Sequence, residues 1–314
     1  MKFSVVIPLY NKAECIKQTI DSVLAQTVTD FEIVIVDDGS TDESAAIVRN
    51  IHDSRIRLIQ QKNQGVSAAR NTGISNARGD VVAFLDADDI WLPQFLETVD
   101  QLFSEFPEAD VACPDYQVSY GNRKIKPTWK SVDNNANCLV SDFFEMATGP
   151  FWVTNSTTTA VKKTALMKMD HWFAVGETCY EDFDFWLRLC SKAKVAHSNK
   201  VCAIYNRMAP QNARQAHTTK VVYSKAYMAT LDAFLNDSTL TDQQKSWINE
   251  IKDRRMVPYV FSLLCLKQRH EAQQALKAWK PTTEYKRHHQ LLSAMSKMPF
   301  FVIDIVQKVR YKVF

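Results

Sequence analysis

The 314-residue chain has no glycine after Gly176, and none in the turn that follows its first hydrophobic strand, Ile7-Pro8-Leu9-Tyr10-Asn11. The second absence counts against a dinucleotide-binding Rossmann domain, whose first turn needs glycines so that backbone amides can approach a pyrophosphate. No CxxC pair occurs among the seven cysteines (Cys15, Cys113, Cys138, Cys179, Cys190, Cys202, Cys265). That excludes the usual zinc and thiol-exchange patterns and predicts reduced, small apolar residues in a cytoplasmic compartment. No run is long enough to cross a bilayer, and Phe3–Ile7 is too short and too soon followed by Pro8 to act as a signal peptide. Charge of either sign is not in excess: 38 Lys and Arg face 35 Asp and Glu, a formal charge of +3. Nothing in that total calls for a nucleic-acid partner. Repeats and low-complexity tracts are also missing.

What is present is an alternation of strand and helix signals. Strands are expected at Phe3–Ile7, Phe31–Val36, Ile56–Ile59 and Val81–Leu85, and helices at Ala13–Ala25, Thr41–Ile51 and Val66–Ala77. Ser40 with Glu43 has the spacing of a capping box for the second helix. Leu92 to Phe106 carries an amphipathic pattern with Pro93 in its first turn, and Val111–Val118 reads as a further strand. Alternation of this kind implies right-handed crossovers and an α/β fold with a mostly parallel sheet and helices on both faces. Residues 121–149 are irregular, polar and aromatic, as in a loop-rich insert facing a substrate. Thr157–Val161 and Val195–Tyr205 read as strands, with a helix starting at Glu181. Beyond about Pro210 the pattern is helical throughout. The expected division is a catalytic domain at 1–210 and a smaller all-helical region at 211–314.

The chemistry concentrates in aspartates at strand ends. Phe84-Leu85-Asp86-Ala87-Asp88-Asp89 places three carboxylates at the C-terminal edge of a buried strand, where open α/β sheets bind ligands. Carboxylate oxygens suit Mg²⁺ or Mn²⁺, the usual partners of a substrate diphosphate. A bare Asp-rich turn explains the segment equally well when it is taken alone. Val36-Asp37-Asp38-Gly39-Ser40 adds a second acidic cluster at the same edge. Asp37, an acceptor only, suits the N3–H of uracil or the N1–H of guanine and rejects cytosine. Arg70, in Asn63-Gln64-Gly65-Val66-Ser67-Ala68-Ala69-Arg70-Asn71, offers a forked cation for phosphate oxygens, or else an ordinary exposed helix arginine.

In their order, Ser4-Val5-Val6-Ile7-Pro8-Leu9-Tyr10-Asn11, Val36-Asp37-Asp38-Gly39-Ser40-Thr41-Asp42, Asn71-Thr72-Gly73 and Phe84–Asp89 resemble the motifs of family 2 glycosyltransferases of the GT-A fold. The resemblance covers roughly residues 1–205. It implies a nucleotide-sugar-dependent, inverting enzyme, with a UDP-sugar favoured. Pro8, Tyr10 and Asp37 would line the base pocket, Asn63 and Arg70 would lie near the base or diphosphate, and Asp86 would face the ribose and the metal. Asp88 would be the principal ligand of Mn²⁺ or Mg²⁺. The family's acidic pair before an apolar helix corresponds to Glu181-Asp182, with Asp182 as the expected catalytic base. Successive helix residues point about 100° apart, so the two acids cannot both face one substrate atom. Tyr205-Asn206-Arg207 resembles the family's Tyr-x-Arg segment and makes Arg207 a candidate phosphate contact, while His197 reads as structural.

The Gln-x-x-Arg-Trp motif of processive synthases is missing, so transfer of one or a few sugars to a glycan or polyprenyl-linked acceptor is expected, in cell-surface polysaccharide synthesis. Pro299–Phe314 interleaves apolar bulk with Lys308, Arg310 and Lys312. Such a helix either packs on its own domain or lies peripherally on the cytoplasmic face of a membrane. Two rival readings remain beside transfer: a phosphohydrolase using the Asp-x-Asp carboxylates, and a nucleotide-sugar-binding module without chemistry.

Overall fold

Two runs of unbroken burial set the centre of the molecule: β1 (Phe3–Leu9) and β2 (Phe31–Asp37) are buried at every position. Their near-continuous apolar sequence is that of strands covered on both faces. In this computed structural model, which describes residues 2–208, 221–303 and 306, the chain forms two compact units, 1–212 and 213–314. The division expected between 210 and 211 lies outside the described residues.

The first unit is built on one ten-stranded sheet. Besides β1 and β2 it contains β3 (Ile56–Gln60), β4 (Val81–Phe84), β5 (Ile90–Trp91), β6 (Val111–Tyr120), β7 (Arg123–Ile125), β8 (Cys138–Leu139), β9 (Ala160–Lys162) and β10 (Val195–Asn206). The order is β3-β2-β1-β4-β9-β6-β10-β5, with β7 on β6 and β8 on β10. Neighbours among β1 to β4 run parallel, as do β6 and β10, and β9 lies antiparallel between β4 and β6. The sheet is therefore mostly parallel, as the alternating pattern implies. Since β2 lies on one side of β1 and β4 on the other, the strand order reverses at the β1/β4 boundary, the crevice where such sheets take ligands.

Helices α1 (Ile16–Leu24), α2 (Ser44–Arg49) and α3 (Val66–Asn76) connect the first four strands. A Cβ on Gly73 of α3 would lie 2.3 Å from Val6 Cγ1, so a side chain there would force this helix off β1. Further along come α4 (Phe95–Glu105), α5 (Phe143–Ala147), α6 (Lys163–Leu166) and α7 (Glu181–Cys190).

Four local expectations are corrected. Ser40 does not cap α2; its hydroxyl accepts from the Asn11 amide at 3.0 Å, and the helix starts at Ser44 with no side-chain cap on Glu43. The helix expected from Leu92 with Pro93 in its first turn begins only at Phe95, after the short strand at 90–91 that pairs with β10. The 121–149 segment holds β7, β8 and α5, the last capped by Asp142, which accepts from the amides of Phe144 and Glu145. Strand β9 starts only at Ala160, because Asn155 Oδ1 accepts from the amides of Thr157 and Thr158 and holds them in a turn.

In the second unit every described element is helical: α8 (Lys225–Asn236), α9 (Asp242–Cys265), α10 (Arg269–Ala278), a 3₁₀ turn at Thr283–Tyr285, and α11 (Lys286–Met295). Thr241 and Gln244 form a reciprocal capping box at the start of α9. Asp253, buried on α9, accepts from Trp279 Nε1 at 2.5 Å and from the amide and hydroxyl of Thr282 at 2.7 and 2.6 Å. This ties the end of α10 to the middle of α9. Of the segment Pro299–Phe314, only 299–303 and 306 are among the described residues; Lys308, Arg310 and Lys312 are outside them. No described helix is long and apolar enough to cross a membrane.

Candidate active site

Pairing between β1 and β4 ends at Val6↔Phe84, with one further bond from the Leu85 amide to the Val6 carbonyl, while β1 continues to Leu9 beside Asp37. Pro8 therefore sits in a central strand at a place where the side facing β4 no longer needs an amide donor. The gap left by the shorter strand is the mouth of the crevice. Asp86 and Asp88 stand on one lip of it, and Asn11 and Lys12 on the other.

Arg70 is the hub of the acids. It is 4 % exposed, its Nη2 donates to Asp86 Oδ1 at 2.8 Å, and its Nη1 lies 3.4 Å from Glu181 Oε1. The guanidinium also lies over the Phe173 ring at 5.2 Å. Beneath it, Phe84, Phe173, Phe185 and Trp186 form one aromatic cluster, with Phe173 and Phe185 stacked at 3.9 Å and Phe84 edge-on to Trp186 at 5.5 Å. That cluster packs α7 against β4. It is how Glu181-Asp182 comes beside Asp86, far away in sequence. Tyr180, just before the helix, is left-handed (φ 60°), an uncommon state for a residue with a Cβ and one that concentrates at functional sites.

The electrostatics follow from the crowding. Burial, reinforced by Asp182 and opposed by Arg70, pushes the Glu181 carboxyl up to about 7. Asp88 is also raised, chiefly by burial, with Lys12 pulling it down and Asp86 pushing it up. Desolvation pulls the Arg70 pKa down, but Asp86, Glu181 and Asp182 outweigh it and hold the guanidinium above its ordinary value. Asp182 accepts from the Phe183 amide at 2.8 Å and is half-buried in the first turn of α7.

Asp37 and Asp38 divide their labour. Asp37 accepts from the Ser40 amide at 3.0 Å and from Gln60 Nε2 at 2.9 Å. Asp38 accepts from Gln61 Nε2, the Gln64 amide and the Gly65 amide at 2.7, 3.0 and 2.8 Å. Asp38 is thus the anchor of the 61–65 loop, which carries the exposed Asn63. Gly39 is left-handed (φ 76°), and a Cβ there would meet the Asn63 amide nitrogen at 3.1 Å. The loop and the turn fit together only with glycine at this position. Tyr10 is 47 % exposed at the mouth.

Asp89 is fully buried: Thr157 Oγ1 and the Asn206 amide donate to it, and desolvation plus its two acidic neighbours raise its pKa well above the usual range. It fastens β10 to the acidic turn and faces no solvent. Arg207 follows directly, with Nη1 donating to the Tyr120 hydroxyl at 2.6 Å and its charge lying over the Tyr120 and Phe151 rings. Its charge acts on the Tyr205 hydroxyl together with Asp89, Asp86 and Asp182, which puts it at the border of the acidic region. His197 is buried with Nδ1 3.0 Å from the Cys113 carbonyl, and burial lowers its pKa.

Lys12 was not foreseen from the sequence: its Nζ lies 2.7 Å from Asp88 Oδ2. A lysine next to the strand-end Asn11 is the only sequence signal that could have singled it out. Tyr205, which opens the Tyr-x-Arg segment, has its hydroxyl pKa raised by burial, then by Asp89, Asp86 and Asp182. It lines the same acidic region. Among the described residues no group of three His, Cys, Asp or Glu side chains converges as a metal cage. Two carboxylates with hard oxygens are nonetheless the donor set that Mg²⁺ or Mn²⁺ uses when substrate phosphates complete the shell. The ammonium on Asp88 stands where such a cation would neutralise that acid, so the residues fit the group.

The fold is shared with solved enzymes. Staphylococcus aureus TarS residues 1–349, solved with UDP-GlcNAc, superposes with a TM-score of 0.73 at 19 % identity over 94 % of this chain and 88 % of that one. The mannosyltransferase PcManGT of Pyrobaculum calidifontis, solved with GDP-Man and Mn²⁺, gives 0.58 at 15 % identity over 98 % and 87 %. Both are GT-A architectures solved with a nucleotide-sugar. The family model for Glycosyl transferase family 2 matches residues 4–171, more than half of the chain, which belongs to that family. An uncharacterized glycosyltransferase of Nostoc sp. is 49 % identical over 106 residues, 33 % of each chain. Chondroitin synthase of Escherichia coli is 30 % identical over 220 residues, 65 % of this chain and 28 % of that one. The chain thus aligns with a third or less of the length of these two relatives.

Proposed function

We propose that the protein transfers a sugar from a nucleotide-sugar, a UDP-sugar by preference, to a hydroxyl of a glycan or lipid-linked acceptor. The observation that carries this reading is the convergence of Asp86, Asp88, Arg70 and Glu181-Asp182 at the β1/β4 crevice, with Asp37 at the end of the next strand. The acceptor-only carboxylate of Asp37 suits an imide N–H of the base. Asp88 and Asp86 would hold Mn²⁺ or Mg²⁺, and such a cation supplies Lewis-acid stabilisation of the charge that grows on the leaving diphosphate. Glu181 is turned back onto Arg70, and the adjacent Asp182 holds the position of the family's catalytic base. As the acceptor oxygen bonds to C1, the C1–O bond to the diphosphate breaks with its electron pair, and Asp182 takes the hydroxyl proton. Attack from the face opposite the leaving group inverts the anomeric centre.

The charge distribution supports an acceptor at an anionic membrane surface, as in cell-surface polysaccharide synthesis. Residues 213–314 carry 17 Lys and Arg against 8 Asp and Glu, whereas residues 1–212 carry 21 against 27. The basic excess is confined to the unit that exposes Leu291, Met298 and Phe301.

The test is a panel of nucleotide-sugars, each scored for Mn²⁺-dependent thermal stabilisation and then for transfer to glycan and polyprenyl-linked acceptors. The expected result is stabilisation by a UDP-sugar and acceptor-dependent release of UDP. Release of inorganic phosphate without acceptor would favour the phosphohydrolase reading. Tight donor binding with no turnover on any acceptor would favour a binding module.

A further inference from the structure

Lys12 is delivered to the crevice by a turn that leaves its backbone little freedom. Asn11 before it is left-handed (φ 49°) and its amide donates to Ser40 Oγ at 3.0 Å. The Lys12 amide donates to Ser44 Oγ at 2.8 Å. The side chain then crosses to the opposite lip, where Nζ meets Asp88 Oδ2 at 2.7 Å with only 14 % and 15 % of the two side chains exposed. An ammonium is strongly hydrated and sits at this depth only against a matching charge. Asp88 needs one: it is crowded by Asp86, while the Arg70 guanidinium is committed to Asp86 and Glu181.

We infer that Lys12 is a resident counter-cation of the donor site: it holds Asp88 while the site is empty, gives way to a divalent cation, and moves its charge to the donor diphosphate. The inference rests on the donor-site reading above and extends it. A divalent ion on Asp88 and the ammonium compete for one carboxylate, so a metal offered alone must displace a charge-assisted hydrogen bond. When a diphosphate arrives with the metal, the displaced ammonium gains a new anionic partner within reach of its flexible four-carbon stem. Metal and nucleotide then favour each other's binding, and by linkage to the same degree. The site would resist filling by free metal and load cation and donor together.

Calorimetric titration tests this on the full chain, with MnCl₂ added to wild type and Lys12→Met in the absence and presence of UDP, and UDP added at saturating Mn²⁺. Lys17→Met serves as control; Lys17 lies on α1 in an exposed pair with Asp21, and its loss changes net charge equally. Lys12→Met removes the ammonium and keeps the turn, which is held through the Lys12 amide on Ser44 Oγ. The expected result is that Lys12→Met binds Mn²⁺ alone about tenfold or more tightly than wild type, the scale of one hydrogen bond to a charged group. It binds UDP at saturating Mn²⁺ several-fold more weakly, and Lys17→Met does neither. Unchanged or weaker Mn²⁺ affinity in Lys12→Met, or equal tightening in Lys17→Met, would overturn the inference. Tighter Mn²⁺ binding with unchanged UDP affinity would overturn the handover to diphosphate. Absence of Mn²⁺-dependent UDP binding in every protein would instead remove the donor-site reading itself.

Discussion

Arg70 Nη1 stands 3.4 Å from Glu181 Oε1 while Nη2 donates to Asp86, so one buried guanidinium joins the acidic turn after β4 to the first turn of α7. A cation that neutralises two carboxylates in the interior cannot be removed without leaving both uncompensated.

Arg70→Met should therefore destabilise the first unit by about 3–5 kcal/mol, the usual cost of breaking a buried ion pair from one side. Adding Glu181→Gln should recover part of that loss, because the second carboxylate no longer needs a partner. Urea midpoints of the two single variants and the double variant measure the coupling. Strict additivity would mean that the two side chains act independently.

Glu181 gives stability a pH dependence of known sign. Its folded pKa is about 7 against an ordinary 4.5, so the native state holds a proton that the unfolded chain releases. Its contribution is fully present below about pH 4.5 and is lost as pH rises through 7. Wild type should lose stability relative to Glu181→Gln across that interval. Parallel melting curves from pH 4.5 to 8 would contradict the assignment.

Asp182→Asn should leave Mn²⁺-dependent UDP binding within about twofold of wild type and lower transfer by roughly 10²–10⁴-fold, the range for loss of a general base. Transfer near the wild-type rate would move the base elsewhere, with Glu181 next in line.

Gly73→Ala introduces a methyl 2.3 Å from Val6 Cγ1. Overpacking of this kind costs about 1–3 kcal/mol, set against the gain in helix propensity of about 1 kcal/mol for alanine over glycine. Net destabilisation, read as a lower melting temperature, is expected. A rise would show that α3 slides along β1 freely.

Flotation with vesicles containing anionic lipid checks the membrane proposal. Full-length protein should float at low salt and sediment at high salt, and Phe301→Asp with Leu291→Asp should weaken flotation. Equal behaviour on neutral vesicles would point away from charge.

The central strands β1, β2 and β4 were legible because they are buried at every position and so read as near-continuous apolar runs. The acids at their ends were legible because strand ends in such sheets converge. Other features were decided by contacts between distant parts of the chain. Ser40 has the spacing of a cap, but its hydroxyl is taken by Asn11 from a different turn. Arg70 reads as a phosphate ligand or an exposed helix arginine in isolation, and its fork on Asp86 and Glu181 joins parts of the chain that no local pattern connects. Lys12 carries no periodic signal at all, since its partner is 76 residues away. The antiparallel insertion of β9 was equally hidden, because three residues with an ordinary strand composition say nothing of direction.

That insertion bears on how the protein is made. Among the described residues the edge of β4 away from β1 is paired by Ala160–Lys162, with one more bond from the Phe84 amide to the Thr159 carbonyl, so a chain emerging from the ribosome completes the first four strands and then exposes an unsealed, apolar sheet margin until those residues have been synthesised. An open edge of this kind invites pairing with another nascent chain. Truncation just short of Ala160 should accordingly yield aggregates, and extension past Lys162 should restore soluble product.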